Sequence, residues 1–220
     1  MLSNPLTTVY HTLAHLGCEN AQGETTESGT VDAIYDEFTD RVVRRVSDNK
    51  QMTYWHNDQM GAIEASELLE RTDANGNCQS WSGLLRDCSS VQGINADRIR
   101  VMPISIFDGS VLVKNWQFID PPSGSGSHPY IIGTDAMPQQ GIPGQGNANP
   151  PPAFNGHWIV RYDDSYYDPS YDVAKITGSD KDKAYEDSAF AGYGASFGSG
   201  ARGNDVSTNT TSEVSYTVDN

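Results

Sequence analysis

The feature that most constrains this chain is a change of apolar rhythm at Gly93. Before it, apolar residues recur at intervals of three and four. After it, they fall in short runs rich in Val, Ile, Phe, Trp and Tyr, bounded by turn residues. The core must therefore be built from helices of the first part and strands of the second. Four helical stretches are expected. The first runs from Asn4-Pro5 through Leu13 and Leu16 to a stop at Gly17; the second spans Thr30 to Val46 on Val31, Ile34, Tyr35, Phe38 and Val42, with Arg41, Arg44 and Arg45 solvated near its end. The third covers Ala62 to Arg71. The fourth begins at Cys78, buries a stripe of Trp81, Leu84, Leu85 and Cys88, and ends about Gln92, just before Gly93.

In the second part, Arg98 to Ile106 and Val111 to Ile119 read as an antiparallel pair joined through Asp108-Gly109. A strand beginning at His157 and another ending at Asp168 flank the turn at Asp163-Asp164-Ser165. A short helix is expected over Lys183 to Phe190, and a strand over Glu213 to Val218. The 21 Gly and 11 Pro gather mostly in this part, densest in the long loop from Pro121 to Ala153. A loop of that length in a compact domain is usually functional or disordered. At 220 residues the reading is one domain over residues 1–191, with its motifs in 76–171 and an insertion at 121–153. Residues 192–220 follow as a Gly/Ser-rich linker and possible extra edge strand.

Charge narrows the partners. With 29 acidic against 14 basic residues the formal net charge is −15, spread along the chain, so neither nucleic acid nor an anionic membrane is expected. No segment approaches a membrane span, and Met1 to Pro5 has no signal-peptide character; low Lys and abundant Asn, Ser, Thr and Gly lean toward a secreted or cell-surface setting. No metal or other cofactor is assigned. Calcium stays open through Asp163-Asp164 and Asp180-Lys181-Asp182, though neither has the alternating spacing of an EF-hand loop. His11 and His15 stand at i, i+4 without an acidic or Cys partner nearby and are read as solvated or packed. The triplet Asn209-Thr210-Thr211 matches a glycosylation acceptor and is given no weight.

Three cysteines, Cys18, Cys78 and Cys88, leave at least one thiol free. Cys78 and Cys88 are about 15 Å apart along one helix, beyond disulfide reach, so any pair includes Cys18. Cys78 sits where the turn cluster Asp73-Ala74-Asn75-Gly76-Asn77 becomes a helix. First-turn N–H groups lack intrahelical partners and, with the helix dipole, favour a thiolate. That position suits a nucleophile.

Gly76-Asn77-Cys78 followed by Trp81 and Leu84-Leu85, then His157-Trp158-Ile159-Val160-Arg161-Tyr162 and Asp168-Pro169-Ser170, resembles the transglutaminase-like branch of the papain-like cysteine enzymes. The match covers about Gly76 to Tyr171. Gln79 stands where that family usually carries Trp, and residues 121–153 look inserted. The resemblance implies an α+β fold in which the nucleophile helix packs on an antiparallel sheet. It implies Cys78 as nucleophile, His157 as base and acid, and Asp168 as the group that orients the imidazole. The Cys78 backbone N–H is then one oxyanion candidate and Trp55, or a residue just before the Cys, the second, although no counterpart of the family's oxyanion Trp is assigned; Asn77, Gln79 and Trp158 are candidates for the substrate rim. The expected activity is acyl transfer or hydrolysis on a protein or peptide amide through a thioester. The alternatives are a cysteine peptidase of papain-like fold, or an inactive transglutaminase-like binding module of a larger protein.

Overall fold

The computed structural model describes residues 10–103, 110–113, 143–148, 150, 153–154, 156–171, 173–194, 203–205 and 214–219. Its first part holds α1 (His11–Glu19), α2 (Glu27–Asp36), β1 (Arg44–Arg45), β2 (Lys50–Gln51), β3 (Thr53–Tyr54), α3 (Ala65–Glu70), β4 (Asn75–Gly76) and α4 (Cys78–Val91). There follow β5 (Asp97–Pro103), β6 (Ser110–Val113), β7 (Ala153–Phe154), β8 (His157–Tyr162), β9 (Ser165–Asp168) and β10 (Val173–Thr177). Last come α5 (Lys181–Ala189), β11 (Phe190–Gly194), β12 (Gly203–Asp205) and β13 (Val214–Asp219).

The fold is α+β. An antiparallel five-stranded sheet, ordered β10-β9-β8-β5-β13, carries α4 across β8 and β5, and α1, α2 and α3 pack around α4. The apolar stripe of α4 points inward, and Trp81, Leu84, Leu85 and Cys88 are each 0% exposed. Burying a large apolar side chain contributes about 1.5–3 kcal/mol, so this stripe dominates the helix's attachment. The Trp81 indole N–H donates to the Thr53 carbonyl at 3.3 Å, and its ring meets Phe38 edge-on at 6.2 Å. Asn77 caps α4, its side-chain oxygen accepting from the N–H groups of Gln79 and Ser80; the helix stops at Gln92, with Gly93 at φ +77°. A thiol at the first residue of so tightly held a helix is fixed in space.

The other helices depart from expectation. The expected start of α1 at Pro5 lies outside the described residues. Gly17 does not end that helix, which continues to Glu19. A Cβ on Gly17 would come within 2.6 Å of the Cys88 carbonyl oxygen, so this glycine marks the close crossing of α1 over α4. The second helix begins earlier, capped by Thr26, and ends at Asp36, ten residues before Val46. Asp40 accepts from the Val42 N–H at 2.8 Å, and Arg41 takes φ +60°, so the chain turns where the apolar spacing alone carries on. Val42 is left exposed while Val43 is buried. Arg45, expected in solvent, is also buried: its guanidinium donates to Asp48 and to the carbonyls of Leu69 and Arg71. The third helix is shortened at its start by a capping box between Glu64 and Glu67.

Among the strands, β8 and β9 form the expected hairpin around Asp163-Asp164. The pairing expected between 98–106 and 111–119 does not form among the described residues. Both edges of β5 are occupied, by β8 and β13, while β6 joins β7, β11 and β12 in a separate four-stranded antiparallel sheet. A turn signal is local, whereas buried Ile99 and Val101 need the cover that a central strand has. The Asp108-Gly109 pair lies outside the described residues, as do Asn209-Thr210-Thr211 and 121–142 of the insertion. The C-terminal strand was expected at Glu213 to Val218; β13 runs beside β5 from Val214↔Pro103 to Asp219↔Arg98 and forms the sheet edge.

Candidate active site

The hairpin brings His157 and Asp168 together. Continuing the register Val160↔Tyr167 sets Ile159 opposite Asp168, which puts His157 one diagonal step away on the same face. Nε2 of His157 lies 2.7 Å from Oδ2 of Asp168, with the two residues 0% and 1% exposed. By strand alternation His157 and Ile159 share a face, and α4 packs on β8, so the imidazole meets the start of that helix. Cys78, 6% exposed, lies near enough for its charge to act on the His157 ring. With Nε2 on Asp168, Nδ1 is the ring nitrogen that can serve the thiol. Cys78, His157 and Asp168 thus lie in one buried neighbourhood, with the His157–Asp168 pair in direct contact.

The electrostatics favour imidazolium. Burial pulls the His157 pKa down, but the charges of Asp168 and Cys78 and the hydrogen bond to Asp168 outweigh it, and the pKa rises to about 10. Asp168 is held from several sides. Its Oδ1 accepts from the Ser170 N–H at 3.1 Å, and its Oδ2 also accepts from the Tyr185 hydroxyl at 2.9 Å. The Tyr35 hydroxyl reaches the backbone carbonyls of Asp168 and Val173.

The wall beside the thiol is aromatic. Tyr54, register partner of Gly76, has its hydroxyl 3.3 Å from that of Tyr171, whose ring lies 5.5 Å from the His157 ring. Burial first, and the negative charge of Cys78 and Asp168 further down, raise the pKa of Tyr54 and Tyr171, so both remain phenols in the neutral range. Burial likewise pushes the Cys88 thiol up, leaving it an inert core residue. Cys18 is exposed, and all three cysteines are free thiols.

The remaining expected site residues divide. Trp55 is half-buried with φ +56°, and its backbone N–H donates to the Gly76 carbonyl at 3.0 Å, so it stands beside the loop that leads to Cys78. The N–H of Cys78 itself lies in the first turn of α4, where no preceding carbonyl of the helix is available. Gln79 is half-buried in the same turn, whereas Asn77 is buried and its side-chain oxygen is engaged in the cap. Trp158 follows His157 and so turns to the opposite face of β8, where the Arg100 guanidinium lies 4.7 Å from its ring; it is not brought to the thiol.

Sequence reading missed Gln145 and Tyr185. Gln145 is fully buried, and its amide donates to the carbonyls of Phe38 at 2.7 Å and Pro169 at 2.8 Å. Its backbone bridges Ser170 and Tyr54, N–H to one carbonyl and carbonyl to the other N–H. The returning end of the insertion is therefore a wedge between the Asp168 turn and the Tyr54 strand. A polar Gln among Gly and Pro carries no local signal of burial. Among the described residues no group of three or more His, Cys, Asp or Glu is placed to hold a metal ion. Asp164 instead faces Lys181 at 3.4 Å, Asp182 accepts from the Tyr166 hydroxyl, and His15 pairs with Glu19 at 2.6 Å. Among the described residues no helix is long and apolar enough to cross a membrane. No protein-family model, curated protein or solved structure matches this chain.

Proposed function

We propose that this protein is a thiol acyltransferase or hydrolase of transglutaminase-like, papain-like type, acting on the amide of a protein or peptide. The observation that carries the reading is the buried His157–Asp168 pair beside Cys78, whose thiol stands at the start of a capped, packed helix. Nδ1 of His157 takes the thiol proton, and Asp168 holds the ring and supports the imidazolium. The Cys78 sulfur then attacks the carbonyl carbon, and the C=O electron pair moves to oxygen. The oxyanion is held by the Cys78 backbone N–H, with the Trp55 indole N–H as the second donor. When the C–N bond breaks, the leaving nitrogen takes the proton back from His157, leaving a thioester on Cys78. Water resolves it to an acid, or a primary amine to a new amide; His157 accepts the incoming proton in either case.

Two measurements test this. Limited iodoacetamide treatment should label Cys78 before Cys18, although Cys18 is the exposed thiol. Cys78→Ala and His157→Gln should each abolish ammonia release from glutamine-containing peptides while the circular dichroism spectrum persists. Preferential labelling of Cys18, or turnover retained in either variant, would end the proposal. Adding a primary amine to the same assay separates transfer from hydrolysis.

A further inference from the structure

The motifs end at Asp168-Pro169-Ser170, yet a residue beyond them touches the site they form. Tyr185, on α5, is 1% exposed, and its hydroxyl donates to Oδ2 of Asp168 at 2.9 Å, the same oxygen that faces His157 Nε2 at 2.7 Å. With Ser170 N–H on Oδ1, the carboxylate has donors on both oxygens and its plane is fixed. We propose that Tyr185 is a positioning residue: its hydroxyl fixes Asp168, and through Asp168 the ring orientation of His157 that presents Nδ1 to Cys78. The inference rests on the thiol-enzyme reading above.

The placement of Tyr185 is itself built. Its ring stands edge-on to Tyr166 at 6.1 Å and to Tyr216 at 6.3 Å. The Tyr166 hydroxyl donates to the Asp182 side chain at 2.5 Å, and the Tyr216 hydroxyl to the Asp182 carbonyl at 2.8 Å, which pins the first turn of α5 to β9 and β13. Burial first and Asp168 second raise the Tyr185 pKa, so the phenol stays a donor throughout the working range. A buried phenol needs an acceptor in any core. Here the acceptor is a group whose orientation decides which nitrogen of His157 faces the thiol. Donors that lock a reacting group's support in place raise the fraction of molecules in productive geometry.

The test compares the pH dependence of Cys78 alkylation by iodoacetamide in the full chain, for wild type, Tyr185→Phe and Tyr162→Phe. Tyr185→Phe should slow labelling at pH 7 by about fivefold, the size expected for one hydrogen bond. It should also lower the upper inflection of the profile by about half a pH unit as support for the imidazolium weakens. Tyr162→Phe, which removes a hydroxyl that donates to Glu27 and touches neither Asp168 nor α5, should leave the profile unchanged. Replacing Tyr185 by 3-fluorotyrosine, which keeps ring and hydroxyl, should restore wild-type behaviour and applies even if the Phe variant folds poorly. A Tyr185→Phe profile that superimposes on wild type, or a 3-fluorotyrosine variant as slow as Phe, overturns the role of Tyr185. Wild-type Cys78 labelled no faster than Cys18 instead removes the thiol-enzyme reading, and this inference with it.

Discussion

His157 concentrates the opposing forces at this site. Full burial disfavours its charged form, while Asp168 at 2.7 Å and the Cys78 thiol favour it, and the balance raises its pKa from 6.5 to about 10. A raised folded-state pKa has a definite consequence for stability. The contribution of the imidazolium is complete below about pH 6.5 and is lost as pH climbs through about 10. His157 should therefore remain protonated at pH 8 when followed by NMR of its ring nitrogens. Asp168→Asn should bring its titration down toward the ordinary imidazole range. A wild-type ring titrating at about 6–7 would show that no such support exists.

At the level of elements, α4 organises the site through its start and its crossings. The Asn77 cap satisfies two first-turn N–H groups, and Asn77→Ala should cost about 1 kcal/mol. Gly17 presents competing effects that magnitudes can rank. Ala is favoured over Gly inside a helix by about 1 kcal/mol. Yet the added Cβ would stand 2.6 Å from the Cys88 carbonyl oxygen, a backbone atom, so α1 and α4 must move apart. Overpacking of this kind costs about 1–3 kcal/mol, and the clash should win. Urea unfolding midpoints check both: each variant should unfold at lower urea, and a neutral or stabilised Gly17→Ala would mean the helices are not in such close contact. The two variants also separate at Cys78, since the cap adjoins the thiol and Gly17 does not.

Over the whole molecule, elements far apart in sequence converge on one carboxylate. Asp168 lies on β9, is reached by β8 and α5, and sits against the Ser170 turn that Gln145 ties to the Tyr54 strand. The charge of the chain acts on all of this uniformly. At −15, like charges repel in the compact state, and the repulsion is screened by salt. Raising NaCl from about 10 mM to about 150 mM shortens the screening length from about 30 Å to about 8 Å. The thermal midpoint should rise by about 2–4 °C, equivalent to about 1 kcal/mol for a chain of this size. Calorimetry at fixed pH measures it; a midpoint that falls with salt would show that the favourable ion pairs, such as Arg45–Asp48, outweigh the repulsion.

What the sequence determined by itself is local in origin. Asn77, the Trp81-Leu84-Leu85-Cys88 stripe and Gly93 specify α4 within a few residues, because caps, propensity and periodicity act over one or two turns. The Asp163-Asp164 turn likewise specifies the β8–β9 hairpin, which puts His157 and Asp168 within reach of each other. Only tertiary structure decided the rest. It set the α4 start against β8, chose β8 and β13 as partners of β5, ended α2 at Asp36 and then turned the chain at Asp40 despite continuing apolar spacing. It also buried Arg45 under carbonyls of another segment, placed Gln145 as a wedge, turned Trp158 away, and brought Tyr185 onto Asp168. These outcomes depend on which buried polar groups can satisfy one another across the core, and that pairing has no period or spacing along the chain.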